Sequence, residues 1–293
     1  MTTNWQEIIA AVDQALDGYL PPADSFPPDI CRAVRYSVFA GGKRLRPLLV
    51  ITTADIFGVP LQHALPAACA IEMIHTYSLI HDDLPALDND DFRRGLASNH
   101  KVFGEAMAIL AGDALLTAAF ETLSIAAPVY FPPHIVVALI QEVSRAAGMT
   151  GMIGGQVADI LSEGRPVHPD VLEYIHRHKT GALITCCVRC GARMGQAAPK
   201  QLQSLTAFGE KAGLAFQIVD DILDVVGDEA ALGKKTGADA GKQKATYPAV
   251  HGLEKARAEA DSLYKSALAD LAPFGAAAAG LTELAGMLIN RTK

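Results

Sequence analysis

Residues 72–95 read EMIHTYSLIHDDLPALDNDDFRRG, an apolar helical run that ends on a crowd of carboxylates. Pro85 cannot continue a helix and restricts the residue before it, so the helix is expected to stop soon after Asp83. Asp88 then stands on the following loop, free to fold back toward Asp82, and His75 lies two turns before Asp82 on the same face. A second group appears half a chain later in FQIVDDILDV, residues 216–225. There Asp220 and Asp224 are about 40° apart around a helix and about 6 Å apart along it, so both project from one face. Asp221 lies between them in sequence. Either group alone reads as a solvated helix end. Two of them, each after ten or more mostly apolar residues, point to carboxylates meeting in an apolar pocket, where they repel and resist burial unless cations lie between them. Magnesium is the expected cation, because it keeps much of its water and takes few carboxylates.

Outward from these groups the chain reads as helix. Ala and Leu dominate, and apolar residues recur at three and four positions, as in Leu110, Ala114, Leu115, Ala118 and Ala119. Breaks fall at Pro21-Pro22, Pro27-Pro28, Pro60, Pro128, Pro132-Pro133, residues 164–169 and residues 227–241. They predict roughly ten helices with short loops, one longer glycine- and lysine-rich loop, and no strands. No repeat or composition shift marks a boundary, so a single all-α domain over residues 1–293 is expected.

With 293 residues, 50% of them hydrophobic and 19% charged, the chain can bury a large core. A net charge of −7 argues against broad nucleic-acid binding but leaves room for a local basic pocket. The N-terminus lacks the pattern of a signal or transit peptide, and residues 270–290 are interrupted by Pro273, Gly275, Gly280 and Glu283. A cytoplasmic protein with no membrane span is the expectation. Cys186, Cys187 and Cys190 have no second Cys or His pair at zinc-site spacing and read as buried helix thiols.

The cations are patterned too. Gly41-Gly42-Lys43-Arg44-Leu45-Arg46 offers three positive side chains beside two glycines, where backbone N–H groups can approach an oxyanion. It is not a nucleotide-binding P-loop, because Ser37 and Arg44 stand where that motif needs Gly and Ser or Thr. Arg93 and Arg94 follow the first acid group, and Lys234, Lys235, Lys242 and Lys244 follow the second. Singly, each is a solvated surface patch. Paired with the carboxylates, they suggest two diphosphate sites, one bridged through magnesium and one held directly by Arg and Lys.

GGKRLRP at 41–47, the stretch 72–95, EAMAILAGDALL at 105–116, GGQVADI at 154–160, HKTGALI at 178–184, FQIVDDILDVVGD at 216–228 and LGKKTGADAGKQKATYP at 232–248 stand in one order. In these motifs the chain resembles the trans-prenyl (polyprenyl) diphosphate synthases, most closely their bacterial short-chain, farnesyl-forming type. The resemblance implies the isoprenoid synthase fold, with mostly antiparallel helices around a deep central cavity, and a homodimer. It also implies head-to-tail condensation of isopentenyl diphosphate with dimethylallyl and geranyl diphosphate. The cofactor would be magnesium, about three ions per site, with manganese as a substitute.

By position, the resemblance makes Asp82 and Asp88 ligands of two ions, with Asp83 supporting them, and Asp220 the ligand of a third. Lys43, Arg46, His75 and Arg94 would hold isopentenyl diphosphate. Arg93, Lys179, Lys234 and Lys244 would hold the allylic diphosphate. Thr180 and Gln217 would stand near the developing cation, and Gln156 and Asp159 would line the cavity. Tyr77, five residues before Asp82, would set product length together with Ser78, although its helical position is about 140° from that of Asp82. Tyr77 and the two extra residues between Asp83 and Asp88 favour a fifteen-carbon over a twenty-carbon product. The departures are small: Ala97, Ser98 and Asn99 replace a usual proline, threonine and cysteine, and Asn89 replaces a common Asp. A terpene cyclase would need a different second metal motif, a head-to-head synthase would carry paired DxxxD, and a silent regulatory relative would have lost aspartates.

Overall fold

A computed structural model describes residues 4–226 and 246–289. These residues fall into two compact units, one from residues 4–51 with Val59–Ile140 and the other from Thr52–Gly58 with residues 141–226 and 246–289. Both are helical, as the sequence predicts, apart from one two-stranded hairpin.

In the first unit, α1 (Trp5–Tyr19), α2 (Pro28–Val38), α4 (Leu61–Asp82) and α6 (Glu105–Ile125) are the long elements; α3 (Leu45–Asp55) starts here and α5 (Asn99–Phe103) is short. Prolines do the work expected of them at the boundaries: Pro28 opens α2 and Pro60 caps α4. α4 is buried on nearly every side, packs against α1, α2 and α6, and carries its own apolar surround to the first aspartates. Its Ile71, Met73 and Ile74 are fully buried, each contributing about 1.5–3 kcal/mol of apolar transfer.

The hairpin is the departure from an all-helical chain. β1 (Phe92–Arg93) pairs antiparallel with β2 (Leu96–Ala97), and the turn residues Arg94 and Gly95 both have positive φ, 54° and 79°. That is the geometry of a two-residue turn matched to strand twist.

The second unit contains α7 (Pro133–Ala147, which begins in the first), α8 (Met152–Ser162), α9 (Pro169–Ile175), α10 (Ala182–Met194), α11 (Pro199–Val226), α12 (Tyr247–His251), α13 (Leu253–Leu271) and α14 (Ala279–Ile289). A π-helical turn, His176–Gly181, joins α9 to α10. α11 packs against α10, α13 and that turn, and α8 covers the turn from another side. Arg189 pairs with Glu142 at 2.6 Å, and Lys211 with Asp270 at 2.6 Å. All five cysteines are free and buried; Cys186 and Cys190 have their sulfurs 3.8 Å apart, and Cys187 donates to the Leu183 carbonyl. The loop 227–241 expected from the sequence lies outside the described residues.

Candidate active site

In the first unit the end of α4 divides its two neighbouring aspartates. Successive residues point about 100° apart on a helix, so Asp82 and Asp83 cannot face the same way. Asp82 is half-buried, whereas Asp83 turns inward, 3% exposed, into a bidentate ion pair with Arg93 of β1. Burial pushes the Asp83 carboxyl above its usual range and the Arg93 guanidinium opposes that shift. The chain after Pro85 curls back as the sequence predicts: the Asp88 backbone N–H donates to the Asp82 carbonyl at 2.8 Å, and Asn89 takes a positive φ of 52°.

The glycine-rich loop gives its three cations different tasks. Arg44, 3% exposed, binds Asp13 at 2.8 Å, Glu72 at 3.1 Å and the Val38 carbonyl at 2.7 Å, so it holds the fold together. Lys43 is exposed and Arg46 half-buried. The glycines accommodate Arg94: its guanidinium donates to the Gly41 carbonyl, and a Cβ on Gly42, whose φ is 129°, would lie 2.8 Å from the Arg94 guanidinium carbon. His75 sits among these groups. Burial, and then the charges of Arg46, Arg94, Arg93 and Arg44, lower its pKa well below the usual histidine value, so it is neutral in a strongly positive field.

Tyr77 is 5% exposed, packs edge-on against His81 at 5.8 Å, and has no hydrogen-bond partner for its hydroxyl. Burial and then the Asp82 charge raise its pKa to about 12. The neighbouring Ser78 hydroxyl donates back to the His75 carbonyl at 2.8 Å.

In the second unit α11 repeats the division. Asp220 is exposed and Asp221 is 5% exposed, bound by the Tyr247 backbone N–H at 2.7 Å, by His176 Nε2 at 3.1 Å and by the Gln217 amide at 3.3 Å. Gln217 also accepts from the Thr180 hydroxyl at 2.7 Å, so Thr180 and Gln217 are in direct contact. Lys179 pairs with Asp159 at 2.6 Å, giving Asp159 a partner where only a lining role was expected. A Cβ on Gly155 would lie 2.1 Å from the Lys179 backbone nitrogen, so the glycine lets α8 approach the π-turn. Gln156 follows it, half-buried. Lys234 and Lys244 lie outside the described residues. Sequence reasoning passed over His176, which ties the π-turn to α11; its only sequence signal is its place three residues before Lys179.

Among the described residues no three Asp, Glu, His or Cys side chains gather into a metal cage. Magnesium needs none, since one or two carboxylates with water and substrate phosphate suffice. In the first unit the half-buried Asp82, with Asp88 joined to it through the backbone, and in the second unit the exposed Asp220, are each donors of the type that ion takes.

The polyprenyl synthetase family model matches residues 27–273. The chain is 51% identical to the farnesyl diphosphate synthase of Geobacillus stearothermophilus over 247 residues, 84% of this chain and 83% of the relative. It is 42% identical to the geranylgeranyl diphosphate synthase of Cyanophora paradoxa over 281 residues, 96% of this chain and 93% of the relative. A crystal structure of an FPP/GFPP synthase from Zymomonas mobilis superposes with a TM-score of 0.87 at 39% identity, covering 97% of both chains.

The state of His75 predicts an acid weakness. Its folded pKa lies below the unfolded value of about 6.5, so below that pH the unfolded chain takes up a proton that the folded chain resists, and stability falls as pH drops. Urea midpoints at pH 7.5 and 5.5 should fall further in the wild type than in His75→Gln. Equal acid losses in the two proteins contradict the half-buried, neutral histidine.

Proposed function

The chain belongs to the polyprenyl synthetase family and is a short-chain prenyl diphosphate synthase; we propose that it condenses isopentenyl diphosphate with dimethylallyl and geranyl diphosphate, head to tail, to give mainly farnesyl diphosphate. One observation carries the reading: in each Asp-Asp pair one carboxylate is buried against named partners, and its neighbour is the more exposed of the two. Asp82, Asp88 and Asp220 are the carboxylates proposed to hold magnesium. When bound, the ion would neutralise charge that develops on the departing diphosphate.

The chain's own groups do the rest. Lys43, Arg46 and Arg94 bind the isopentenyl diphosphate, with neutral His75 donating or accepting a hydrogen bond among them. Arg93 and Lys179, with Lys234 and Lys244, bind the allylic diphosphate. Arg93 and Lys179 are held in place by Asp83 and Asp159. As the allylic carbon–oxygen bond breaks, the Thr180 and Gln217 oxygens stabilise the positive carbon, and the apolar surround of α4 keeps water from it. The isopentenyl double bond then forms the new carbon–carbon bond, and the released diphosphate accepts the proton that is lost. The family model runs through both units without a break, which supports one synthase domain over residues 1–293. Five free, buried thiols fit a reducing compartment, and the cytoplasm is the proposed location.

Two features favour fifteen carbons over the twenty of geranylgeranyl diphosphate. Tyr77 stands close enough to Asp82 to feel its charge, with its ring and unpartnered hydroxyl buried, and the loop between Asp83 and Asp88 carries two extra residues. A homodimer is also proposed. α6 is long and apolar enough to cross a membrane, but only 39% of its apolar window is buried and its exposed face mixes Ile109 and Leu110 with Glu105, Asp113 and Glu121. Hydrocarbon would have to take in those carboxylates, whereas a second copy of the chain can pair or hydrate them.

Chromatography of the dephosphorylated alcohols tests the chemistry. Wild type should give mainly farnesol from isopentenyl and geranyl diphosphate, Tyr77→Ala should add chains of twenty carbons and more, and Asp82→Ala or Asp220→Ala should lose several orders of magnitude in turnover. Mostly geranylgeraniol from wild type, or no lengthening in Tyr77→Ala, refutes the product assignment; near-normal rates in either aspartate variant refute the metal sites. Sedimentation should show a dimer at micromolar concentration, and an active monomer refutes it.

A further inference from the structure

The hairpin that carries Arg93 and Arg94 is too small to hold itself. It has two paired positions, Phe92 with Ala97 and Arg93 with Leu96, and its turn places Arg94 in the left-handed region, which side chains other than glycine adopt reluctantly. Nor does it rest on a solid floor. Behind it lies a cavity of about 30 Å³, lined among others by Tyr36, Thr76, Asp83, Arg93, Arg94 and Asn99. Thr76 Oγ1 and Asn99 Oδ1 are buried there without hydrogen-bond partners. Where packing is this open, discrete hydrogen bonds decide where the hairpin stands.

On one edge those bonds come from α2. The Tyr36 hydroxyl of α2 donates to the Ala97 carbonyl at 2.7 Å, and its ring packs edge-on against Phe103 at 5.5 Å. The Asn99 amide, just after β2, donates to the Ala33 carbonyl and the Ser37 hydroxyl of α2, both at 2.8 Å. On the other edge, Arg93 is anchored to Asp83 and Arg94 to the Gly41 carbonyl.

We propose that Tyr36 and Asn99 are positioning residues that fasten the hairpin to α2 and so set Arg93 and Arg94 together, tuning affinity for both diphosphate substrates through one clamp. The proposal rests on the assignment of those two arginines to the allylic and isopentenyl diphosphates. Neither Tyr36 nor Asn99 needs to touch substrate.

The test uses Tyr36→Phe, which removes only a hydroxyl, Asn99→Ala and the double variant. Steady-state kinetics should show KM rising for both substrates together, by about threefold to tenfold per lost tie, with kcat changing less than either KM. Trypsin offers a readout that needs no turnover, because its cleavage sites include Arg93 and Arg94. Cleavage in the hairpin of the ligand-free protein should be faster in each single variant and fastest in the double. Unchanged hairpin cleavage overturns the clamp, as does a KM change confined to one substrate or a fall in kcat alone. If wild type turns over no prenyl diphosphates, the functional reading fails on that control and the cleavage rates still decide whether the clamp exists.

Discussion

A carboxylate is costly to bury without a partner, and that constraint arranges the candidate groups within each unit. In each Asp-Asp step the helix turns one residue inward and the next about 100° away. Asp83 meets Arg93; Asp221 meets His176, Gln217 and the Tyr247 backbone. Each inward carboxylate does more than satisfy itself. Asp83 fixes the hairpin on which Arg93 and Arg94 stand, and Asp221 fixes the π-turn that presents Lys179 and Thr180. The groups proposed to take metal and the groups proposed to take phosphate are therefore positioned by the same few bonds.

Close backbone approaches complete that arrangement. Gly42 admits the Arg94 guanidinium, and Gly155 admits the Lys179 backbone, so a methyl group at either position would collide with a candidate substrate-binding element. The buried pair of Arg44 and Glu72, with the more exposed Asp13 beside it, plays the opposite part, committing one cation of the glycine-rich loop to structure. Removing one partner of such a buried pair leaves a charge stranded, at a cost of about 3–5 kcal/mol. The loop therefore contains a buried structural arginine, flanked by Lys43 and Arg46, which are proposed to take ligand.

Much of this was legible in the sequence. Periodicity and proline breaks marked the helices, and Pro85 foretold the loop that brings Asp88 back to Asp82. What was not legible depends on neighbours distant in the chain. Nothing local distinguishes Asp82 from Asp83, because the distinction is made by an arginine ten residues on. The hairpin is four residues of pairing, too short to show alternation, with Arg94-Gly95 as its only signal. The π-turn exists where Gly155 lets another helix come close, and His176 gains its importance only when Asp221 arrives from α11. Arg44 looked like Lys43 and Arg46 until Glu72 was found beneath it.

The division between inward and outward aspartates is open to a direct measurement: manganese ions bound in the presence of inorganic diphosphate, counted by electron paramagnetic resonance, alongside urea unfolding. Asp82→Asn should bind fewer ions than wild type. Asp83→Asn should bind the full number and unfold earlier, because Arg93 loses its charged partner. A full complement of ions in Asp82→Asn, or a loss of ions in a fully stable Asp83→Asn, contradicts the account.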